Sequence, residues 1–169
     1  GAFNSEHLNL CRQDVVEYQK VVVTGEELRG CATEEESHDR LEMLLNLMPR
    51  TGVFWIGGDL GYTNDPTELV VFQEIELPER RIVKLVLRVR MEHVAYPHIA
   101  QTIALLDRYY TAAGIGVDNG GNGTAVVQEL LTLDKYKDMA LQGRLRGYDF
   151  GGMTTLAVRD GQEVRKRTK

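Results

Sequence analysis

The stretch Val53-Phe54-Trp55-Ile56-Gly57-Gly58-Asp59 decides the fold of this 169-residue chain. It is a short apolar run that ends in two glycines and an acid, which is typical of a buried central β-strand. Trp55 is predicted to be a core residue because it lies inside the run, and Asp59 is a candidate functional acid because it ends it. We therefore predict a main domain over residues 53–169, preceded by a helical lead-in or linker over residues 1–52.

The segments that follow Asp59 alternate between strand and helix patterns. Predicted strands lie at Thr67–Ile75, Arg81–Met91, Gly114–Asp118, Tyr136–Tyr148 and Thr154–Val158, and predicted helices at Tyr96–Ala113 and Thr124–Leu133. The short connection at residues 77–80 favours an antiparallel hairpin. The order βββ-α-β-α-β therefore predicts an α/β fold, with three antiparallel strands and a helical crossover to a parallel fourth strand. The partner of the last strand is not predicted.

The lead-in is polar and helical in character. Apolar residues recur at helical spacing over Thr33–Met48, and Pro49 and Gly52 end this pattern. Only Val15–Val23 has some strand character. We expect the helix face to pack on the domain that follows.

Composition excludes several classes of protein. The apolar share of 43% and charged share of 27% are those of a soluble globular domain, and no apolar run approaches membrane-spanning length. Two scattered cysteines and four histidines give no zinc-site spacing. The net charge of −5 argues against a globally cationic nucleic-acid binder, but local cationic clusters can still face DNA. The candidate DNA-binding residues are Arg88, Arg90, Lys135, Lys137, Arg144 and Arg146.

Two motifs resemble those of a known family. The stretch IGGDLGYTNDPT, residues 56–67, resembles the G-x-D-x-G-x-x-x-D-P-T signature that opens the nuclease domain of the large terminase subunit of tailed bacteriophages. The stretch GIGVD, residues 114–118, with the glycines and valines that follow it, resembles the second acidic motif of that family. The predicted element order also matches the RNase H-like plan of that domain, a mixed sheet flanked by helices.

The resemblance implies a metal-dependent endonuclease that cuts concatemeric double-stranded DNA during viral packaging. Asp59, Asp118 and Asp65 would be its catalytic and metal-binding residues, holding two Mg²⁺ or Mn²⁺ ions for phosphodiester hydrolysis. The lead-in would follow a motor ATPase domain. Partners would be that motor domain, the small terminase subunit and the portal, all in the host cytoplasm.

Alternatives stay open at this stage. Asp65 precedes Pro66 and is also explained as a turn residue. The family adds a further acid from a late helix, and no such helix is predicted before Lys169, so we expect the chain to lack the C-terminal part of the domain. A non-catalytic RNase H-like module that binds DNA or a protein fits this departure. The stretch GDLGYTN, residues 58–64, also resembles the phosphate loop of actin-like and sugar-kinase ATPases, of which this chain would be one lobe.

Overall fold

A computed structural model describes residues 18–25, 41–43, 45–48, 50–61, 65–120, 123–148, 154–159 and 162–167, with the last two ranges described by their backbone. Its strands are β1 (Gln19–Thr24), β2 (Val53–Asp59), β3 (Thr67–Glu76), β4 (Arg81–Glu92), β5 (Gly114–Asp118), β6 (Leu145–Tyr148), β7 (Thr154–Arg159) and β8 (Gln162–Arg167). Its helices are α1 (Tyr96–Tyr110), α2 (Gly123–Leu130) and α3 (Asp134–Leu141). No helix within the described ranges is both long enough and apolar enough to cross a membrane.

Six strands form one mixed sheet in the order β1-β4-β3-β2-β5-β6. β2, β3 and β4 are antiparallel neighbours, whereas β5 runs parallel to β2 and β6 runs parallel to β5. Five of the strands thus reproduce the predicted order of three antiparallel and two parallel strands, and the fold is an RNase H-like α/β arrangement. β2 lies at the centre of the sheet, as the sequence predicts.

The helices lie on one face of the sheet. Two helical connections join parallel strands, one from β4 to β5 and one from β5 to β6, and both run in the same direction across the sheet. Because such connections are almost always right-handed, their helices lie on the same side of the sheet. Alternate residues of β2 point to that side, where Phe54 and Ile56 are buried against α1. The opposite face, which we call the open face, has no described helix over it. Trp55 lies on the open face and is 44% exposed, so its predicted place in the core is wrong.

A β-bulge in the β3–β4 hairpin changes which residues of β4 face the core. Val71 pairs with Leu87 and Phe72 pairs with Leu85, so Val86 is an extra residue in the ladder. The inserted residue reverses the alternation, and Val83 becomes 61% exposed although the sequence pattern groups it with Leu87. Simple alternation along β4 therefore fails on the hairpin side of the bulge.

The prediction of a strand over Tyr136–Tyr148 is wrong for the first part of that segment. Its first six residues belong to helix α3, and only Leu145–Tyr148 is a strand. Tyr136 and Met139 are both buried, at the three-residue spacing of one helix face. The helix ends at Leu141, and Gly143, just after its C-cap residue, has φ +71°, the left-handed conformation that glycine adopts without strain.

A buried carboxylate fastens α3 to the end of α1. Asp107 is 1% exposed, and its Oδ1 accepts a hydrogen bond of 3.1 Å from the Ala112 N–H. Its Oδ2 accepts a hydrogen bond of 3.2 Å from the Tyr136 hydroxyl and lies 2.5 Å from Lys135 Nζ. The charge is thus compensated in the interior, as a buried acid requires.

Parts of the predicted lead-in join the domain. β1 extends the sheet, pairing in parallel with β4. Leu41 and Leu45 have helical backbone and are buried in the core, as the apolar face of the predicted helix requires. Residues on both sides of the predicted boundary at residue 53 therefore belong to the same sheet and the same core. The predicted lead-in also includes residues that lie outside the described ones: 1–17, 26–40, 44 and 49.

β7 lies where a strand is predicted over Thr154–Val158, and its partner is β8. The two form a separate antiparallel ribbon in which Thr154 pairs with Arg167. The ribbon packs near β6 and α3. The cationic C-terminal stretch therefore includes a strand that the sequence analysis did not predict.

Candidate active site

Asp59 and Asp118 end neighbouring parallel strands on the same face of the sheet. Gly58 of β2 pairs with Val117 of β5, and the two aspartates are the next residues along. Side chains alternate across a sheet, so both carboxylates point to the open face, on strands about 4.8 Å apart. The structure therefore places these two acids next to each other at one edge of the sheet.

The carboxylates differ in how they are held. Asp118 Oδ1 accepts a 2.7 Å hydrogen bond from the Gly120 N–H, which fixes the side chain in the turn after β5. The side chain of Asp59 is exposed and makes no hydrogen bond or ion pair with a described residue. Among the described residues, one oxygen of Asp118 and both oxygens of Asp59 thus have no partner that would compete with a ligand.

Glycines let the chain close tightly around this edge of the sheet. A Cβ at Gly123 would lie 2.0 Å from the carbonyl oxygen of Asp118, so α2 begins directly against the end of β5. A Cβ at Gly61 would lie 2.3 Å from the carbonyl oxygen of Asp65, so the backbones of Gly61 and Asp65 approach each other closely. Glycine at both positions is required by this close approach of backbone to backbone.

Asp65 lies on the other side of β2 from Asp118. It borders a cavity of about 180 Å³ together with Pro66, Arg90, Glu92 and His93, at the end of β4. The structure therefore places the third predicted acid at the same edge of the sheet, but on the β4 side of Asp59. Its predicted catalytic role stays a prediction.

Glu68 is an acid that the sequence analysis missed. It pairs directly with Asp59 across β2 and β3, so its side chain also points to the open face. Arg88 forms two hydrogen bonds with Glu68, of 2.8 and 2.7 Å, and Arg90 adds a third of 2.8 Å. The Arg88 guanidinium, with that of Arg90, lowers the pKa of the Glu68 carboxyl below its usual value. A charged residue within the apolar run of β3 was the signal in the sequence.

The six predicted DNA-binding cations have different surroundings. Arg88 and Arg90 hold Glu68 on the open face, and Arg90 also pairs with Glu92 at 2.6 Å. The α3 lysines pair with acids: Lys135 with Asp107 and Lys137 with Asp134.

The other two cations flank β6. The Arg144 guanidinium donates to the carbonyl oxygens of Ala113 and Ala112, at 3.1 and 2.6 Å, and so supports the turn before β5. Arg146 is exposed and donates to the Gly143 carbonyl oxygen at 2.8 Å. Among these six residues, Arg144 and Arg146 have no acidic partner within the described part of the chain. They therefore keep uncompensated positive charge beside the open face.

The donor set at Asp59 and Asp118 fits a hard divalent cation. Mg²⁺ and Mn²⁺ prefer oxygen ligands, and Mg²⁺ keeps several of its waters, so two carboxylates are sufficient protein ligands for one ion. No group of three or more His, Cys, Asp or Glu side chains suited to hold a metal is found within the described ranges. The second predicted ion stays a prediction.

Comparison with protein families, with curated proteins and with solved structures finds no match to this chain, and its site is therefore interpreted from its own residues.

Proposed function

We propose that this protein is a metal-dependent endonuclease that hydrolyses phosphodiester bonds of double-stranded DNA. The observation that carries the proposal is the placement of Asp59 and Asp118, on the same face and at the ends of adjacent parallel strands. The RNase H-like strand order supports it, because that order is what brings two acids 59 residues apart to one edge of the sheet.

The two aspartates have distinct roles in this proposal. Asp118, held by the Gly120 N–H, is the oriented ligand, because one of its oxygens is already fixed. Asp59 is the adaptable ligand, because its carboxylate has no competing contact among the described residues. A bound Mg²⁺ or Mn²⁺ supplies an activated water and stabilises the negative charge that develops on the phosphate oxygens.

The substrate phosphates need compensating positive charge near the site. Arg146 is exposed on β6, next to β5, which carries Asp118. Arg88 and Arg90 lie on β4, on the other side of Asp59, where they already neutralise Glu68. We expect Arg146 to contribute more to DNA affinity than Arg88 or Arg90, because no acid of the described chain offsets its charge.

The resemblance of the two acidic motifs to large-terminase nucleases extends the proposal to viral DNA packaging. In that setting the domain follows a motor ATPase domain and cuts concatemeric DNA in the host cytoplasm. The small terminase subunit and the portal are the proposed protein partners.

Plasmid nicking in the presence of Mn²⁺ tests the nuclease proposal. We expect the wild-type chain to convert supercoiled plasmid to open-circular and linear forms, and EDTA to stop the reaction. Asp59→Asn and Asp118→Asn should each lower the rate by at least about 100-fold, by analogy with the loss of one essential electrostatic group. Asp138→Asn is the matched control, because Asp138 is exposed on α3 and distant from β2. Nicking that survives both substitutions would show that the activity belongs elsewhere.

A second candidate is a non-catalytic module that binds DNA or a protein. It is favoured by the hydrogen bond from Gly120 to Asp118, which is also ordinary turn chemistry, and by the absence, within the described ranges, of three acids grouped so that they could hold a metal. DNA binding without nicking, unchanged in Asp59→Asn, would support this module. Nucleotide binding without nicking would support the actin-like or sugar-kinase-like lobe.

A further inference from the structure

The open face of the sheet contains a cleft with aromatic walls. Its volume is about 430 Å³, larger than the cavities beside Asp65 and Arg108. The residues that form this aromatic cleft come from β2, β3, β5, β6 and the turns before β5 and β6: Trp55, Ile56, Gly57, Phe72, Ala113, Gly114, Ile115, Gly116, Gly143, Arg144, Arg146 and Tyr148. Trp55 and Tyr148 are 44% and 43% exposed, so two large rings are accessible from solvent.

Both rings lie over glycines of β5. A Cβ at Gly114 would be 2.7 Å from Cζ3 of Trp55, and a Cβ at Gly116 would be 3.0 Å from Cε2 of Tyr148. The indole is also fixed at its edge, because Trp55 Nε1 donates a 3.1 Å hydrogen bond to Glu74. Because Gly114 and Gly116 have no side chains, the two rings lie directly against the backbone of β5. The rings are therefore flat surfaces that are already in position before a ligand binds.

The charged side chains that line the cleft are cationic, and Glu74, the acid at its edge, is paired with Arg81. The lining includes two arginines, Arg144 and Arg146, and no acid, although the chain has a net charge of −5. A surface that combines exposed aromatic rings with cationic side chains is suited to nucleotides, which have flat bases and anionic phosphates. An apolar protein segment would not require this positive charge.

The cleft leads to the two aspartates. Tyr148 pairs with Asp118 across β5 and β6, so the cleft reaches the strand ends. Trp55 lies four residues before Asp59 on the same face of β2, a distance of about 13 Å along the strand. A nucleic-acid strand lying in the cleft therefore continues towards the carboxylates.

We propose that the aromatic cleft binds unpaired nucleotides of a DNA strand, with bases stacked on Trp55 and Tyr148 and a phosphate against Arg146. This proposal deepens the proposed nuclease function. It rests on that function in one respect, namely that the bound strand is the one that Asp59 and Asp118 cut. Unpaired bases are required because a base within a duplex cannot expose its face to an aromatic ring.

The fluorescence of Trp55 tests the proposal directly, because Trp55 is the single tryptophan of the chain. An oligothymidylate is titrated into the full chain with EDTA present, so that neither metal nor cutting is involved. We expect saturable quenching, because stacking places a base on the indole. An unbranched duplex of the same length should quench less.

Variants locate the binding. Tyr148→Leu and Arg146→Gln keep the reporter, and Tyr148→Leu should weaken binding by about 5- to 100-fold, the range expected for loss of one stacked base. Arg80→Gln is the matched control for Arg146→Gln, because Arg80 is an exposed cation in the β3–β4 turn, outside the cleft. Trp55→Leu is followed by anisotropy of a labelled oligonucleotide, and circular dichroism checks its fold.

Three results would overturn the proposal: no quenching, equal affinity in Tyr148→Leu and wild type, or stronger quenching by duplex than by single strand. A dimer that Trp55→Leu dissociates, without oligonucleotide binding, would instead assign the cleft to contact between copies of this chain. The nuclease proposal fails separately. Quenching without nicking leaves the cleft assignment intact, and nicking without quenching contradicts the cleft assignment alone.

Discussion

Gly114→Ala perturbs the floor of the aromatic cleft by a single methyl group. Its Cβ would lie 2.7 Å from Cζ3 and 2.9 Å from Cε3 of Trp55, whereas ordinary contacts begin near 3.4 Å. The indole must therefore retreat by about 0.7 Å or more. Such a shift strains or breaks the 3.1 Å hydrogen bond from Trp55 Nε1 to Glu74, a bond that contributes about 1 kcal/mol.

The expected loss of stability follows from these distances. Overpacking in a closed interior costs about 1–3 kcal/mol, and a half-exposed indole can relieve part of it by moving outwards. We therefore expect Gly114→Ala to lower the free energy of unfolding by about 1–2 kcal/mol. The emission of the single tryptophan should also shift to longer wavelength, because the displaced indole is more exposed to water.

Urea denaturation followed by circular dichroism measures the stability, and the native emission maximum measures the displacement. Gly57→Ala is the matched control on the same face, because its Cβ would meet only a methyl group of Val70, at 3.0 Å. It should cost less and leave the emission unchanged. Unchanged emission and stability in Gly114→Ala, or an equal cost in Gly57→Ala, would refute the described packing of Trp55 on β5.

Three further substitutions test other parts of the structure. Leu45→Ala should lower the free energy of unfolding by about 2–5 kcal/mol, because Leu45 is fully buried, and a loss below about 1 kcal/mol would place it outside the core. Asp107→Ala should cost about 2–4 kcal/mol in urea melts, because the Ala112 N–H and Tyr136 hydroxyl lose their acceptor, whereas exposed Asp138→Ala should cost under about 0.5 kcal/mol. Glu68→Gln should destabilise the protein at neutral pH but progressively less below about pH 4.3, because the pKa of Glu68 is lower in the folded than in the unfolded state; a difference independent of pH would contradict this.

The sequence predicted the centre of the sheet better than its edges. The run around Ile56 has the continuous apolar character of a strand buried in a sheet, and the second acid follows a similar run in β5. These local patterns, with the resemblance of the element order to the RNase H-like plan, predicted that the strands ending in Asp59 and Asp118 are neighbours. β2 is parallel to β4 because two antiparallel pairings relate them, and one helical crossover joins β4 to a parallel β5, so β5 runs parallel to β2.

The failures have physical causes that a single sequence does not display. Trp55 seemed a core residue because its apolar neighbours are buried, but the open face has no described helix to cover it. The bulge at Val86 reverses the alternation of β4 without any glycine or proline to mark it. The α3 prediction failed although Tyr136 and Met139 have helical spacing, because the prediction treats residues 136–148 as one strand, whereas only Leu145–Tyr148 is a strand.

The site was predicted incompletely for a related reason. Asp59 and Asp118 are recognisable because each ends an apolar run and is followed by glycine-rich sequence. The importance of Glu68 depends on cross-strand register with Asp59 and on two arginines at residues 88 and 90. The register with Asp59 is that of β2 on β3, and the register with the two arginines depends on the β3–β4 hairpin and its bulge, so both become visible only in the structure.

Crystals of the chain soaked in Mn²⁺ provide the most direct measurement of the central claim, because the anomalous signal of manganese locates the ion. We expect an anomalous peak at coordination distance, about 2.2 Å, from a carboxylate oxygen of both Asp59 and Asp118. The peak should disappear in Asp59→Asn crystals soaked in the same way. Manganese bound at other residues while this pair of carboxylates stays vacant would contradict the assignment of a metal-dependent nuclease site to these two strand ends.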